Sequence, residues 1–401
     1  MFFFFFFPDK KNNNSNSISF KDIEMQHSAN KGEWSELYAL YKLLVDQNIF
    51  PINKNQDSSK RLRLPILSIL RYTDKDLGAE YRIDDNGNIC INANGNNIIE
   101  VEKEKFEIKT KELLNAIKNN SHEASFDIPS LDDFRRLTYC PKIKCFTQKT
   151  TRGEKDKSDL YIVIHDAMTG QTPKQGFSIK SELGNPPTLF NATRLTNFCY
   201  KLSHNLPDQK VTEINSLLVR GHADIQGRVR AILNENITLG FSHIKSSANE
   251  CSTFMENLIL IDSSLPEIIS YLLLLSYTEE SRSLDYLTEL LTEMNPLDFP
   301  MKTNKMFYEA KVKRFISDVA LGMIPSQPWK ADQQSSGVLV VTELGDIDCY
   351  HVMYKAALDD YLYHDLKFET PSTSRHGFGM IEYDDNGNQY FSLNLQLRFI
   401  K

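Results

Sequence analysis

Residues 158–182 read SDLYIVIHDAMTGQTPKQGFSIKSE. Two β-forming runs stand in this stretch, one around Tyr161, Val163 and Ile164 and one at GFSIKS, with a loop bearing Gly170 and Pro173 between them. That punctuation predicts two adjacent strands. Successive side chains of a strand take opposite faces, so Phe177 and Ile179 enter a core while Ser178 and Lys180 share the other face. Asp159 opens the first strand, and Ser178, Lys180 and Glu182 follow it by 19, 21 and 23 residues. A carboxylate and an ammonium at the edge of paired strands can bind a divalent cation and hold a water beside it. The metal then lowers the pKa of the water and neutralises charge in the transition state, while the lysine orients or deprotonates the nucleophile, which suits phosphodiester hydrolysis. Mg²⁺ prefers hard oxygen ligands, so a second carboxylate is wanted. Glu36, Glu33 and Glu182 are the candidates. Glu182 shares the Lys180 face only if the strand runs on through Ser181, and Gly184 and Pro186 oppose that. As a bare pattern, an Asp, a Lys and a nearby Glu are no different from a surface ion pair.

Upstream, KGEWSELYALYKLLVD repeats Trp34, Leu37, Tyr38, Tyr41 and Leu44 at three- and four-residue steps and predicts a helix over 32–46, with Glu33 and Glu36 one turn apart on its flank. Two Asn-Gly turns inside YRIDDNGNICINANGNNIIEVE predict an antiparallel patch, followed by a charged helix over 103–119 and a short helix capped by Ser130. Beyond residue 182 the pattern predicts helices over 222–233, 265–276, 283–294, 304–321 and 353–363, a strand over 254–261, a strand pair over 338–349 and a terminal hairpin. DDNGN occurs at both Asp84 and Asp384 and reads as a reused hairpin turn, since the flanking sequences differ. The expected organisation is a leader over 1–30, a helix and hairpin region over 31–130, a core over 131–262 and a mostly helical part over 263–401.

The 401 residues are 41% hydrophobic and 25% charged, which excludes a disordered or fibrous chain. The six cysteines are scattered, only Cys140 and Cys145 lie close, and no zinc spacing is present. They read as inert thiols of a reducing compartment. MFFFFFF lacks a basic flank and is too short for a signal segment, and no stretch has bilayer-spanning length, so a cytoplasmic protein is expected. The net charge of -7 speaks against an anionic partner, but it averages unlike regions. Residues 135–157 carry eight Lys and Arg against two acids, whereas residues 279–298 carry six acids against Arg282. The basic stretch is where phosphates are expected to bind with counterion release, and the acidic helices are expected to point away.

Three blocks, KGEWSELYALYKLL, SDLYIVIHDAMTGQTPKQGFSIKSELGNPPTLFNATRLTNF and FETPSTSRHGFG ahead of the terminal hairpin, span residues 31–399 and resemble, in content and order, the HpaII family of type II restriction endonucleases. The resemblance implies a mixed α/β fold with a PD-(D/E)xK nuclease core, and Mg²⁺-dependent cleavage of double-stranded DNA at a short palindrome, CCGG, leaving 5′-phosphates. Asp159 matches the motif's metal-binding Asp and Lys180 its Lys. Ser178 holds the place usually taken by Asp or Glu, so the second metal-binding carboxylate comes from elsewhere, with Glu36 first and Glu182 second. Side chains suited to reading a groove are Asn185, Asn191, Arg194 and Asn197 after the second strand, and Arg375 and His376 in ETPSTSRHGFG. Arg bidentate to guanine is the commonest specific contact, against a hydroxyl-capped turn as the plain alternative. The helix bearing Arg228 and Arg230 reads as a solvated face. A cognate cytosine-5 methyltransferase is the implied functional partner, and a palindromic target favours a homodimer. The competing reading is a sequence-specific DNA-binding protein whose nuclease site has decayed, with Ser178 as the scar.

Overall fold

The computed structural model describes residues 24–400 apart from 54–61, 76, 94–96, 122–123, 149–155, 168, 246–251, 303–304 and 333. The fold is mixed α/β, with several sheets and eleven α-helices among the described residues. Residues 1–23 of the expected leader, and the second Asn-Gly turn, lie outside them. Residues 24–30 are described, and Ser28–Ala29 pairs with Phe126–Asp127.

The principal sheet runs in the order β11–β10–β6–β5–β1–β2–β3–β4. In chain order these are β1 (Leu64–Asp74), β2 (Leu77–Ile83), β3 (Ile89–Ala93), β4 (Asn97–Val101), β5 (Leu160–Ile164), β6 (Lys174–Ser181), β10 (Gly337–Val341) and β11 (Ile347–His351), with the short strand Asn48–Ile49 pairing β1 as the ninth. Intervening and later strands form two smaller sheets: β7 (Thr188–Phe190), β15 (Leu397–Phe399) and β12 (Leu366–Phe368), and β9 (Leu239–Ile244), β8 (Asn197–Leu202), β14 (Gln389–Asn394) and β13 (Ile381–Tyr383). The adjacent strands expected in 158–182 are β5 and β6, antiparallel with Leu160 opposite Phe177. The β6–β10 pairing is parallel and sets Ser178, Ile179 and Lys180 against Val338, Leu339 and Val340. The sheet that holds β5 and β6 also takes strands from 64–101 and 337–351.

Alternation along β6 and β10 divides two hydrophobic cores. Phe177, Ile179, Leu339 and Val341 pack with Trp34, Leu37 and Tyr41 of helix α1 (Lys31–Asp46) and with Phe106 of α2 (Lys103–Asn119). Val338 and Val340 belong to the other core, with helices α6 (Thr253–Ile261), α7 (Leu265–Thr278), α8 (Leu284–Met294), α9 (Phe307–Leu321) and α10 (Lys355–His364). Each large side chain so buried contributes about 1.5–3 kcal/mol. Helix α1 starts one residue before its expected position because Asn30 caps it: the Asn30 side chain accepts the Glu33 N–H and Glu33 returns the bond to the Asn30 N–H.

Residues 254–261 form helix α6, not a strand. TFMENLILI has no strict alternation, the Ser252 hydroxyl accepts the Met255 N–H as a cap, and buried Asn257 bonds Ile324 O, Gln327 O and the Trp329 N–H. The helix expected over 222–233 is shorter, Ile225–Asn234, preceded by a two-residue strand. Its Arg228 is buried, not solvated, and donates to Gly379 O, Asn215 O and Leu217 O. The two DDNGN turns do share one geometry: Asp84 Oδ1 accepts the N–H groups of Asn86 and Asn88, Asp384 Oδ1 those of Asn386 and Asn388, and Gly87 and Gly387 take φ of +84° and +77°.

His351 at the end of β11 is buried, accepts the Met353 N–H at Nδ1 and lies 2.8 Å from Gln175 Oε1 at Nε2, so the neutral Nε2–H tautomer satisfies both bonds. Burial pushes its pKa down to about 4. The folded pKa lies below the unfolded value, so this stabilisation is complete above about pH 6.5 and is lost as pH falls through about 4. Urea midpoints from pH 7 to pH 4.5 should fall more steeply for the wild type than for His351→Gln. Parallel slopes would contradict this.

Candidate active site

Asp159 immediately precedes β5, beside the part of β6 that runs on past the Leu160–Phe177 pair. Its N–H donates to Phe177 O at 2.8 Å and its Oδ2 accepts the Ile179 N–H at 2.7 Å, so the carboxylate takes the place of a ladder acceptor next to Lys180. Helix α1 packs on the Phe177, Ile179 and Ser181 face of β6, where Ser35 Oγ and Ser181 Oγ lie 2.8 Å apart. One residue on, Glu36 Oε2 accepts the Cys145 N–H at 2.6 Å. Burial, and then the neighbouring Asp159 carboxylate, raise the Glu36 pKa to about 7, against the Cys145 N–H, Arg71 and Lys144. The Asp159 pKa is also raised by burial, with Lys180 opposing. Two carboxyls that hinder each other's ionisation beside an ammonium form a site that a cation would relieve.

Glu33 and Glu182 also line the groove and each accepts one backbone N–H as Glu36 does; what sets Glu36 apart is the Asp159 carboxylate beside it. Glu33 closes the α1 capping box, and Glu182 Oε2 accepts the Glu343 N–H at 3.0 Å at the turn after β10. Ser178 is 5% exposed and its Oγ has no partner. Among the described residues no three His, Cys, Asp or Glu side chains gather as metal ligands. Two carboxylates are nevertheless a donor set that suits Mg²⁺, which commonly takes one or two from the protein and completes its shell with water and substrate phosphate.

A groove of about 1020 Å³ opens here, lined by Lys31, Glu36, Lys118, Lys144, Lys180 and Arg398 among others, with Asn185 and Asn191 also on its wall. No acid from 279–298 lines it. The basic stretch contributes less than its charge count implied. Buried Arg135 bonds Asp132, Gln26 O and Pro141 O, and Lys157 donates to Val319 O, its pKa pushed down to about 7 by burial and by Lys180. Lys149, Arg152 and Lys155 lie outside the described residues. Of the eight, Lys144 lines the groove.

Arg194, Arg375 and His376 come together away from the groove wall: Arg194 Nε donates to Arg375 O at 3.4 Å, and burial followed by both guanidiniums lowers the His376 pKa. Asn197 does not join them as a reader. It is 1% exposed, and its amide is spent on His376 O, Gly377 O and Asn394. Sequence reasoning missed Arg71, which is 1% exposed on β1 and donates to Lys142 O at 2.7 Å and Ile143 O at 2.8 Å, so fixing the segment that presents the Cys145 N–H to Glu36. No motif signals it, since an arginine inside LPILSILRYTD reads as the edge of an apolar run.

A model of the HpaII restriction endonuclease family matches residues 30–399. The chain is 40% identical over 374 residues to the type II restriction enzyme HpaII of Haemophilus parainfluenzae, covering 93% of this chain and 99% of that enzyme. No solved structure matches the chain.

Proposed function

The chain belongs to the HpaII restriction endonuclease family, and from that premise we propose a PD-(D/E)xK nuclease core that cuts both strands of a short DNA palindrome, CCGG, with Mg²⁺ and leaves 5′-phosphates. The protein is a type II restriction endonuclease, a site-specific deoxyribonuclease acting on double-stranded DNA. The observation that carries the assignment of its chemistry is the meeting of Glu36, Asp159 and Lys180, which come from a helix and two strand ends.

In this reading Asp159 and Glu36 hold the cation, and Ser178 leaves the motif's usual carboxylate position to Glu36. When bound, Mg²⁺ supplies a more acidic water and charge neutralisation at the phosphate. The Ile179 N–H fixes one Asp159 oxygen and the Cys145 N–H fixes one Glu36 oxygen, so both carboxylates are held before substrate arrives. Lys180 orients the attacking water and takes or shares its proton. Lys31, Lys118, Lys144 and Arg398 line the groove as phosphate contacts, and Asn185, Asn191, Arg194, Arg375 and His376 face the target. A homodimer matches a palindrome, and a cytosine-5 methyltransferase protects the host site. No single helix among the described residues is long and apolar enough to cross a membrane. A decayed nuclease has no reason to keep all three groups together.

Digestion of a plasmid of known sequence with Mg²⁺, followed by mapping of the termini, tests activity, target and cut position at once. Discrete cuts at CCGG with 5′-phosphates are expected; cuts elsewhere overturn the target, and random nicking overturns the site. Chelation of the metal should stop cutting. Because Glu36 must lose its proton to bind a cation, the Mg²⁺ concentration for half-maximal rate should rise as pH falls below about 7, by up to about tenfold per pH unit. An Mg²⁺ requirement equal at pH 6 and pH 8 would remove Glu36 from the ligand set.

A further inference from the structure

We infer that Asn197 and Asn394 form a buried amide relay that positions the Arg194 and Arg375 pair against the DNA target. This rests on the reading of those arginines as DNA contacts. Asn197 and Asn394 face each other across β8 and β14, and both are at most 1% exposed. The Asn394 amide donates to Asn197 Oδ1 and to Thr193 O, each at 2.6 Å. The Asn197 amide donates onward to His376 O at 2.9 Å and Gly377 O at 3.2 Å. The relay thus ends on the residue before Arg194 and on the residue after Arg375.

Arg194 and Arg375 are both exposed, and Arg194 Nε reaches the Arg375 backbone carbonyl by a long bond of 3.4 Å. The buried amides hold the two backbone segments that carry these side chains, so each guanidinium is presented from a fixed base to a phosphate or a guanine edge. Asn191 lines the groove, and three residues of chain reach at most about 11 Å, or about three base steps, so the pair lies within range of DNA seated there. Gly377 closes the turn at φ +63°, with open space around its α-carbon.

The variants Asn197→Ala, Arg194→Ala, Arg375→Ala and Gly377→Val, with the Asn197→Ala/Arg375→Ala pair, are compared by thermal melting, by kcat and KM on a short duplex bearing the mapped site, and by preference over a duplex with one base pair changed. We expect Asn197→Ala to melt cooperatively, raise KM about tenfold and lower the preference about tenfold, at the modest end of what one arginine-to-guanine contact supplies, with kcat moving less than either. Adding it to Arg375→Ala should cost little more, because both act through one contact. Gly377→Val strains the turn whose carbonyl the Asn197 amide holds, while leaving both asparagines in place, and should repeat the pattern even where Asn197→Ala fails to fold. Loss of preference in Arg375→Ala, but not in Asn197→Ala or Gly377→Val, would overturn the relay. No effect of Arg194→Ala or Arg375→Ala would overturn the DNA-reading assignment beneath it.

Discussion

Asp159→Ala and Lys180→Ala proteins should bind the target duplex and fail to cut it, with a loss of about 10³-fold or more in rate, the scale of removing a charge that stabilises the transition state. Neither substitution removes a core side chain. Asp159→Ala frees the Ile179 N–H at the edge of the groove, where water can take the bond. Lys180 lines the groove, so Lys180→Ala deletes a charge without opening a cavity. Gel shifts in Ca²⁺ and cleavage assays in Mg²⁺ separate binding from chemistry. Wild-type cutting by either variant would remove that residue from the mechanism. Asp159→Ala should also lower the Glu36 pKa, because the second carboxylate raises it, and should therefore weaken the pH dependence of whatever cation binding remains.

Arg71→Met should be the most damaging change away from the reacting groups. It removes the donor to Lys142 O and Ile143 O, and with it the anchor of the segment that gives the Cys145 N–H to Glu36. A buried carbonyl without a donor costs about 1–3 kcal/mol, which applies in full to Ile143 O and in part to the half-buried Lys142 O. Loss of the guanidinium's own unpartnered Nε and Nη1 groups offsets part of this, so a net loss of about 3 kcal/mol is expected. Arg71 also lowers the Glu36 pKa, so the surviving enzyme should need more Mg²⁺ and a higher pH than the wild type. Urea denaturation reads the first effect and Mg²⁺ titration the second. An unchanged unfolding midpoint would contradict the anchoring role, and an unchanged Mg²⁺ requirement would contradict the link to Glu36.

Strands β5 and β6 and helix α1 were legible because each carries its own period: alternation in YIVIHD and GFSIKS, and three- and four-residue steps from Trp34 to Leu44. β1 escaped notice because apolar side chains occur on both of its faces, with Leu67 left 40% exposed, so LPILSILRYTD shows no alternation. Helix α6 was misread for a related reason, since TFMENLILI is apolar enough to suit either state and the bonds that satisfy its buried Asn257 come from the distant Ile324 and Gln327.

By itself the sequence determined the Asp159 and Lys180 pair, the position of Ser178 between them, the helix that carries Glu36 and the family to which these belong, because strand and helix periods are local properties of the chain. Tertiary structure alone carries Glu36 beside Asp159, since Glu36 is held there by a bond spanning 109 residues. It also decided which charges in the basic stretch meet solvent and which, like Arg135, are buried as structural donors. Burial and partner choice depend on what the rest of the chain packs against a residue, and that is not written in the spacing of its neighbours.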